Sequence, residues 1–153
     1  MFLLQKFLGT YEHSLDEKGR LTIPVRFREL LAGGAFITQG FDRCLMVSTA
    51  AYFEEVYQRL DAMNLAKPEV RMLRRQMLAT AYTVETDKLG RILVPQSLRA
   101  FLDLKNEAFV VGQGDYFEIW TPELWKEQVA QFQDTEANAQ RLATLDLSSH
   151  KNG

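Results

Sequence analysis

Asp16-Glu-Lys-Gly-Arg20-Leu-Thr-Ile-Pro24 recurs, 71 residues further on, as Asp87-Lys-Leu-Gly-Arg91-Ile-Leu-Val-Pro95. Across residues 16–31 and 87–102, six of sixteen positions are identical: the Asp, Gly, Arg and Pro of the motif, then Arg28/Arg99 and Leu31/Leu102. Average composition gives about one such match by chance, so the chain is a duplicated module. The match resumes after a two-residue slip, Ala35-Phe36-Ile37 against Ala108-Phe109-Val110 and Met46-Val47-Ser48 against Ile119-Trp120-Thr121. A repeat of this length decides the architecture before any single element is assigned.

Each copy is too short to bury an adequate core alone without disulfides or metal, so the two halves are expected to share one core. The single cysteine, Cys44, excludes an internal disulfide framework and fits a reducing cytoplasm. Composition is that of a globular protein, 46% hydrophobic and 25% charged. There is no apolar run long enough to span a bilayer and no basic-then-apolar secretory segment, so no membrane partner is expected. The net charge of −2 speaks against a nucleic-acid partner only on average. Residues 1–76 carry eleven basic against nine acidic groups and residues 77–153 seven against eleven, so the halves are +2 and −4. Such asymmetry suggests one face built for an anion.

Within each copy the pattern predicts a hairpin, a short helix, a second hairpin and a longer helix. Residues 8–15 alternate Tyr11, His13 and Leu15, Asp-x-x-Gly makes the turn, and Arg20 to Ile23 is the return strand. Gly19 and Gly90 stand where the loop needs positive φ. Pro24 and Pro95 suit a first helical turn, where a missing N–H is harmless. The helices show apolar faces at i, i+3, i+4: Phe27, Leu30, Leu31 and Leu98, Phe101, Leu102. Second strand pairs are expected at 35–39 with 44–48 and at 108–112 with 116–120, and Ser48-Thr49 and Thr121-Pro122 read as helix starts. The division is a first repeat at 7–63, a helical linker at 64–80, a second repeat at 81–132 and a polar tail at 133–153 with a frayed end.

The repeated Asp-x-x-Gly-Arg-φ-x-φ-Pro segment resembles the SpoVT/AbrB type of DNA-binding module. The tandem arrangement, the Met-Phe start, the Arg-rich linker helix and the total length resemble the MraZ family of bacterial transcriptional regulators, associated with the division and cell-wall gene cluster. That resemblance covers about residues 7 to 130 and implies an α+β fold, a duplicated double-split (swapped-hairpin) β-barrel with pseudo-twofold symmetry and flanking helices. It further implies a ring-shaped homo-oligomer binding tandem promoter repeats in double-stranded DNA, a cytoplasmic, nucleoid-associated protein, and Arg20 as a DNA reader.

Read from the residues alone, Asp16 and Asp87 hold their turns by accepting backbone N–H bonds. Arg20 and Arg91 have two roles open to them: pairing with those aspartates, or meeting phosphate or guanine from the end of a turn. Lys18, Arg26 and Arg43 align with Leu89, Ser97 and Tyr116, so three cations of the first copy are neutral in the second while the scaffold Asp, Gly, Arg and Pro persist. Because phosphate contacts dominate nucleic-acid affinity, the first copy is the expected DNA face, with Arg20, Lys18, Arg26 and Arg43 as its cations and Glu17 weakening it. Arg71, Arg74 and Arg75 fit structure or assembly better than DNA. Phe117, Trp120, Trp125 and Phe132 read as core.

An enzyme is not expected. His13 and His150, the only histidines, form no metal-ligand spacing with Cys44, and no phosphate-binding glycine loop occurs. No cofactor, metal, catalytic residue or small-molecule substrate is assigned. The rival class is an oligomeric interaction or scaffold module of the same fold without DNA binding.

Overall fold

The first hairpin expected from the sequence does not close as a ladder. In the computed structural model, which describes residues 2–148, β1 (Thr10–Ser14) and β2 (Arg20–Thr22) meet only at a Leu15–Leu21 bridge and at the turn bond from Asp16 N to Arg20 O, 3.0 Å. Each strand crosses to the other copy instead. β1 pairs with β7 (Glu107–Gly112), β2 with β6 (Arg91–Leu93), and β5 (Tyr82–Val84) with β3 (Ala35–Gln39). The physical reason lies in burial: an isolated two-stranded hairpin is marginal in water, whereas exchange buries Leu21 and Ile92 completely in a shared interior.

With β4 (Leu45–Thr49) and β8 (Tyr116–Trp120), the larger antiparallel sheet has the order β1-β7-β8-β4-β3-β5, and β2-β6 forms a separate ribbon. Exchanging each strand for its counterpart in the other copy leaves this order unchanged. Register supports the two-residue slip. Tyr11 lies opposite Val110 and Tyr82 opposite Ile37, which superimposes the copies only if β7 lags β3 by two residues more than β5 lags β1.

Beyond that point the alignment needs correction. The β3–β4 turn is closed by Gly40 N to Cys44 O (2.8 Å) and the β7–β8 turn by Gln113 N to Tyr116 O (2.9 Å), so the second turn is one residue shorter. Tyr116 therefore corresponds to Cys44, not Arg43, and Val47 rather than Met46 corresponds to Ile119. Apolar strands slide by one without changing their composition, which hid the deletion. Gly114 and Asp115 fill the shorter turn, so no cation replaces Arg43 there.

The short helices α1 (Val25–Leu30) and α4 (Gln96–Leu102) begin one residue later than expected. Pro24 and Pro95 are N-caps with extended ψ, their carbonyls accepting from Phe27 and Arg28 and from Leu98 and Arg99. The apolar faces seal a core drawn from both copies, centred on Phe7, Phe27 and Phe117 with ring centroids 5.0–5.2 Å apart. α2 (Ala50–Asp61) starts at Thr49, whose hydroxyl accepts from Tyr52 N. α3 (Pro68–Leu78) buries Val70 and Met77. Of the arginine cluster, Arg71 donates to the carbonyls of Leu65 and Ala66, and Arg74 lies 3.8 Å from Asp61.

The chain forms one compact unit up to Pro122 and a second from Glu123 onward. α5 (Pro122–Gln133) carries Trp125 against Phe132 at 6.0 Å, with Phe132 exposed rather than core. Phe117 and Trp120 are buried as expected. The tail contains a helix, α6 (Thr135–Arg141), capped by Asp134. It lacks an apolar stripe, so periodicity did not announce it. The frayed end and His150 lie outside the described residues.

Candidate nucleic-acid interface

The two motif turns are built alike. Asp16 Oδ1 accepts from Lys18 N and Arg20 N at 3.0 and 2.9 Å, and its Oδ2 accepts from Arg20 Nε at 2.6 Å. Asp87 repeats this with Leu89 N, Arg91 N and Arg91 Nε, each at 2.9 Å. The backbone bond from Arg20, then its side chain, lower Asp16 to about 2. Arg91 likewise lowers Asp87. Both aspartates thus hold their turns, and both arginines take the pairing role left open by the sequence.

Gly19 and Gly90 have φ of +84° and +77°, and close approach demands them as well. A Cβ on Gly19 would lie 2.4 Å from Arg99 Nε, and one on Gly90 2.1 Å from Arg28 Cζ. Those arginines are themselves fixed, Arg28 Nε donating to Ile23 O (2.7 Å) and Arg99 Nε to Val94 O (3.0 Å). Each copy's helix arginine therefore lies against the other copy's turn. Backbone bonds from Ile23 N to Gly90 O and from Val94 N to Gly19 O complete the clasp. The identity of Arg28 and Arg99 was visible in the repeat, but their crossed contacts required the strand exchange.

Alternation along the ribbon sends Leu21 and Ile92 inward and Arg20, Thr22, Arg91 and Leu93 outward. The ladder sets Arg20 opposite Leu93 and Thr22 opposite Arg91. A two-stranded ribbon has the width of an element the DNA major groove admits. The two outward arginines are not equivalent. Among the described residues Arg20 is engaged through Nε to Asp16 alone, leaving its terminal nitrogens unpaired. Arg91 spends Nε and Nη2 on Asp87 and Nη1 on Asp16 at 3.4 Å.

The remaining cations are spread out. Lys18 is exposed on the first turn. Arg26 is half-buried on α1, its Nη2 donating to Leu3 O at 3.2 Å, near a short 3-10 helix at Phe2–Gln5. Arg43 is exposed in the β3–β4 turn, and β7 and β8 separate β1 from β4 in the sheet order. The structure brings Lys18 and Arg20 together on one turn and gives Arg43 no direct contact with them. Leu93 and Thr22 were not singled out from the sequence, although the Arg-Leu-Thr and Arg-Ile-Leu alternation carries the signal.

Elsewhere, Cys44 is buried with Sγ 3.5 Å from Glu118 Oε2, and burial followed by that carboxylate pushes its thiol up. Among the described residues no group of three His, Cys, Asp or Glu side chains is placed to hold a metal, and no helix is long and apolar enough to cross a membrane.

Comparison with known proteins agrees with the duplication. The family described as "MraZ protein, putative antitoxin-like" matches residues 6–76 and again 77–146. The chain is 43% identical over 141 residues to the transcriptional regulator MraZ of Roseiflexus castenholzii, covering 91% of this chain and 98% of that protein. It is 43% identical over 140 residues to the regulator of that name from Thermomicrobium roseum, with 91% and 99% covered. For the one from Leuconostoc mesenteroides subsp. mesenteroides the figures are 39% over 142 residues, with 92% and 99% covered.

Proposed function

This chain belongs to the MraZ family, and from that premise we propose that it is a sequence-specific DNA-binding transcriptional regulator that grips tandem promoter repeats as a ring-shaped homo-oligomer. Its relatives bear the name transcriptional regulator. The observation that carries the DNA reading is Arg20: outward on a two-stranded ribbon, steadied through Nε by Asp16, with its terminal nitrogens unengaged among the described residues. An arginine so held is prepared to donate two bonds to guanine O6 and N7.

Lys18, Arg26 and Arg43 supply phosphate contacts in this reading, and the second copy mainly completes the scaffold. The strand exchange is read as the duplicated double-split β-barrel, with repeats at 7–63 and 81–132, a linker at 64–80 and a tail at 133–153. The protein acts without catalysis, in the cytoplasm at the nucleoid. Each subunit offers few cations, so several linked subunits are needed to turn modest contacts into useful avidity.

Affinity for duplexes carrying one or several sites, measured across a range of salt, tests the proposal. Binding that weakens steeply with salt and strengthens with site number is expected, together with an oligomer by light scattering. A chain that enriches no duplex from a random-sequence library is instead a scaffold module, the rival reading.

A further inference from the structure

The outward face of the β2–β6 ribbon carries one side chain that neither the turn chemistry nor the scaffold explains. Leu93 is 55% exposed, while its ribbon neighbour Ile92 is fully buried. It stands directly opposite Arg20 in the ladder. Cross-strand partners have Cβ atoms about 5 Å apart, and successive base pairs rise about 3.4 Å. Two such side chains entering a major groove together therefore address neighbouring base pairs.

We infer that Leu93 reads the C5-methyl group of a thymine beside the guanine met by Arg20. The inference rests on the proposed DNA-binding reading and adds to it a base-specific contact supplied by the second copy. Thymine is the one base that offers an apolar group in the major groove. Leu93 has no polar atom beyond its backbone, so it recognises that group and nothing else on the base edge. Arg91, the other outward cation of this copy, is spent on Asp87 and Asp16. The second copy thus meets DNA through an apolar contact rather than a charged one. Thr22, opposite Arg91, is the matching first-copy position. The exchange of strands is what seats Leu93 beside Arg20, since the two lie 73 positions apart in the chain.

The test uses the full-length oligomer and a duplex that it enriches from a random-sequence library. Each thymine is replaced in turn by deoxyuridine, which lacks only the methyl group. One replacement, next to the guanine whose change matches the effect of Arg20→Ala, is expected to weaken wild-type binding about fourfold per site, the ratio for one buried methyl-sized group. Leu93→Ala is expected to bind the thymine duplex about fourfold more weakly and to be indifferent to that replacement, with an unchanged melting temperature. A Leu93→Ala protein that keeps the thymine preference overturns the inference, as does a wild type with no such preference. Failure to enrich any duplex overturns the proposed function itself, and the three results are distinguishable.

Discussion

The first and second motif turns share a backbone, a glycine with positive φ, an aspartate clamp and a crossed arginine, yet their surfaces differ. At the tips, exposed Lys18 faces solvent in one and exposed Leu89 in the other. On the ribbon, Arg20 keeps two nitrogens unpaired among the described residues, while Arg91 is drawn onto both aspartates. Scaffold and surface have separated: interior groups answer to packing that both copies must satisfy, and outward groups are released from it.

The largest expected effect tests the shared half of this comparison. Gly19→Ala and Gly90→Ala each combine left-handed backbone strain with displacement of the arginine lying against the turn. Denaturant unfolding should show a loss of about 2–3 kcal/mol for each, from roughly 1–2 for the backbone and about 1 for the arginine's hydrogen bond. A large loss from one and almost none from the other would break the equivalence of the scaffolds.

Next comes the division on the ribbon. Arg20→Ala should weaken duplex binding by about 1–3 kcal/mol per base pair read, multiplied across linked sites, with little change in melting temperature. Arg91→Ala should weaken it less and unsettle the turn more. The reverse ranking would make Arg91 the reader.

A smaller effect separates the cations. Lys18→Ala with Arg26→Ala should flatten the slope of log affinity against log salt by close to one unit for each phosphate left without its cation. Lys88→Ala with Arg91→Ala should leave the slope nearly unchanged. Equal flattening by the two pairs would assign phosphate binding to both copies.

The finest distinction is in proton binding. Asp16 is lowered from 3.8 to about 2 and Asp87 is lowered as well. Because both carboxylates are favoured in the folded state, what they add to stability is present above the ordinary value of 3.8 and, for Asp16, disappears as pH falls through about 2. Carboxyl shifts followed by NMR should place both midpoints below 3.8. An ordinary midpoint for Asp16 would mean that Arg20 does not hold it in solution.

The repeated Asp-x-x-Gly-Arg-φ-x-φ-Pro segment, the helix faces of Phe27, Leu30, Leu31 and Leu98, Phe101, Leu102, and the need for a shared core were all legible in the chain. They depend on neighbours a few residues away, where turn geometry and helical period act directly. Which strand pairs with which was not legible in the residue pattern, and exchange was implied only by the family resemblance. Residues 8–15 and 20–23 satisfy a local hairpin pattern, and only the competition for one interior sends β1 to β7 and β2 to β6. The one-residue deletion near Tyr116 escaped for a related reason: hydrophobic strands look alike at adjacent registers until hydrogen bonds select one.

Sequence by itself settled that two copies exist, which residues turn the chain, and that Lys18 and Arg26 of one copy are neutral in the other. Tertiary structure alone decided that Arg28 and Arg99 clasp the opposite turns, that Asp16 also accepts from Arg91, and that Leu93 stands beside Arg20. These pairings join residues dozens of positions apart. Burial of Leu21 and Ile92 in a common core selects them, and no pattern within either copy contains that information.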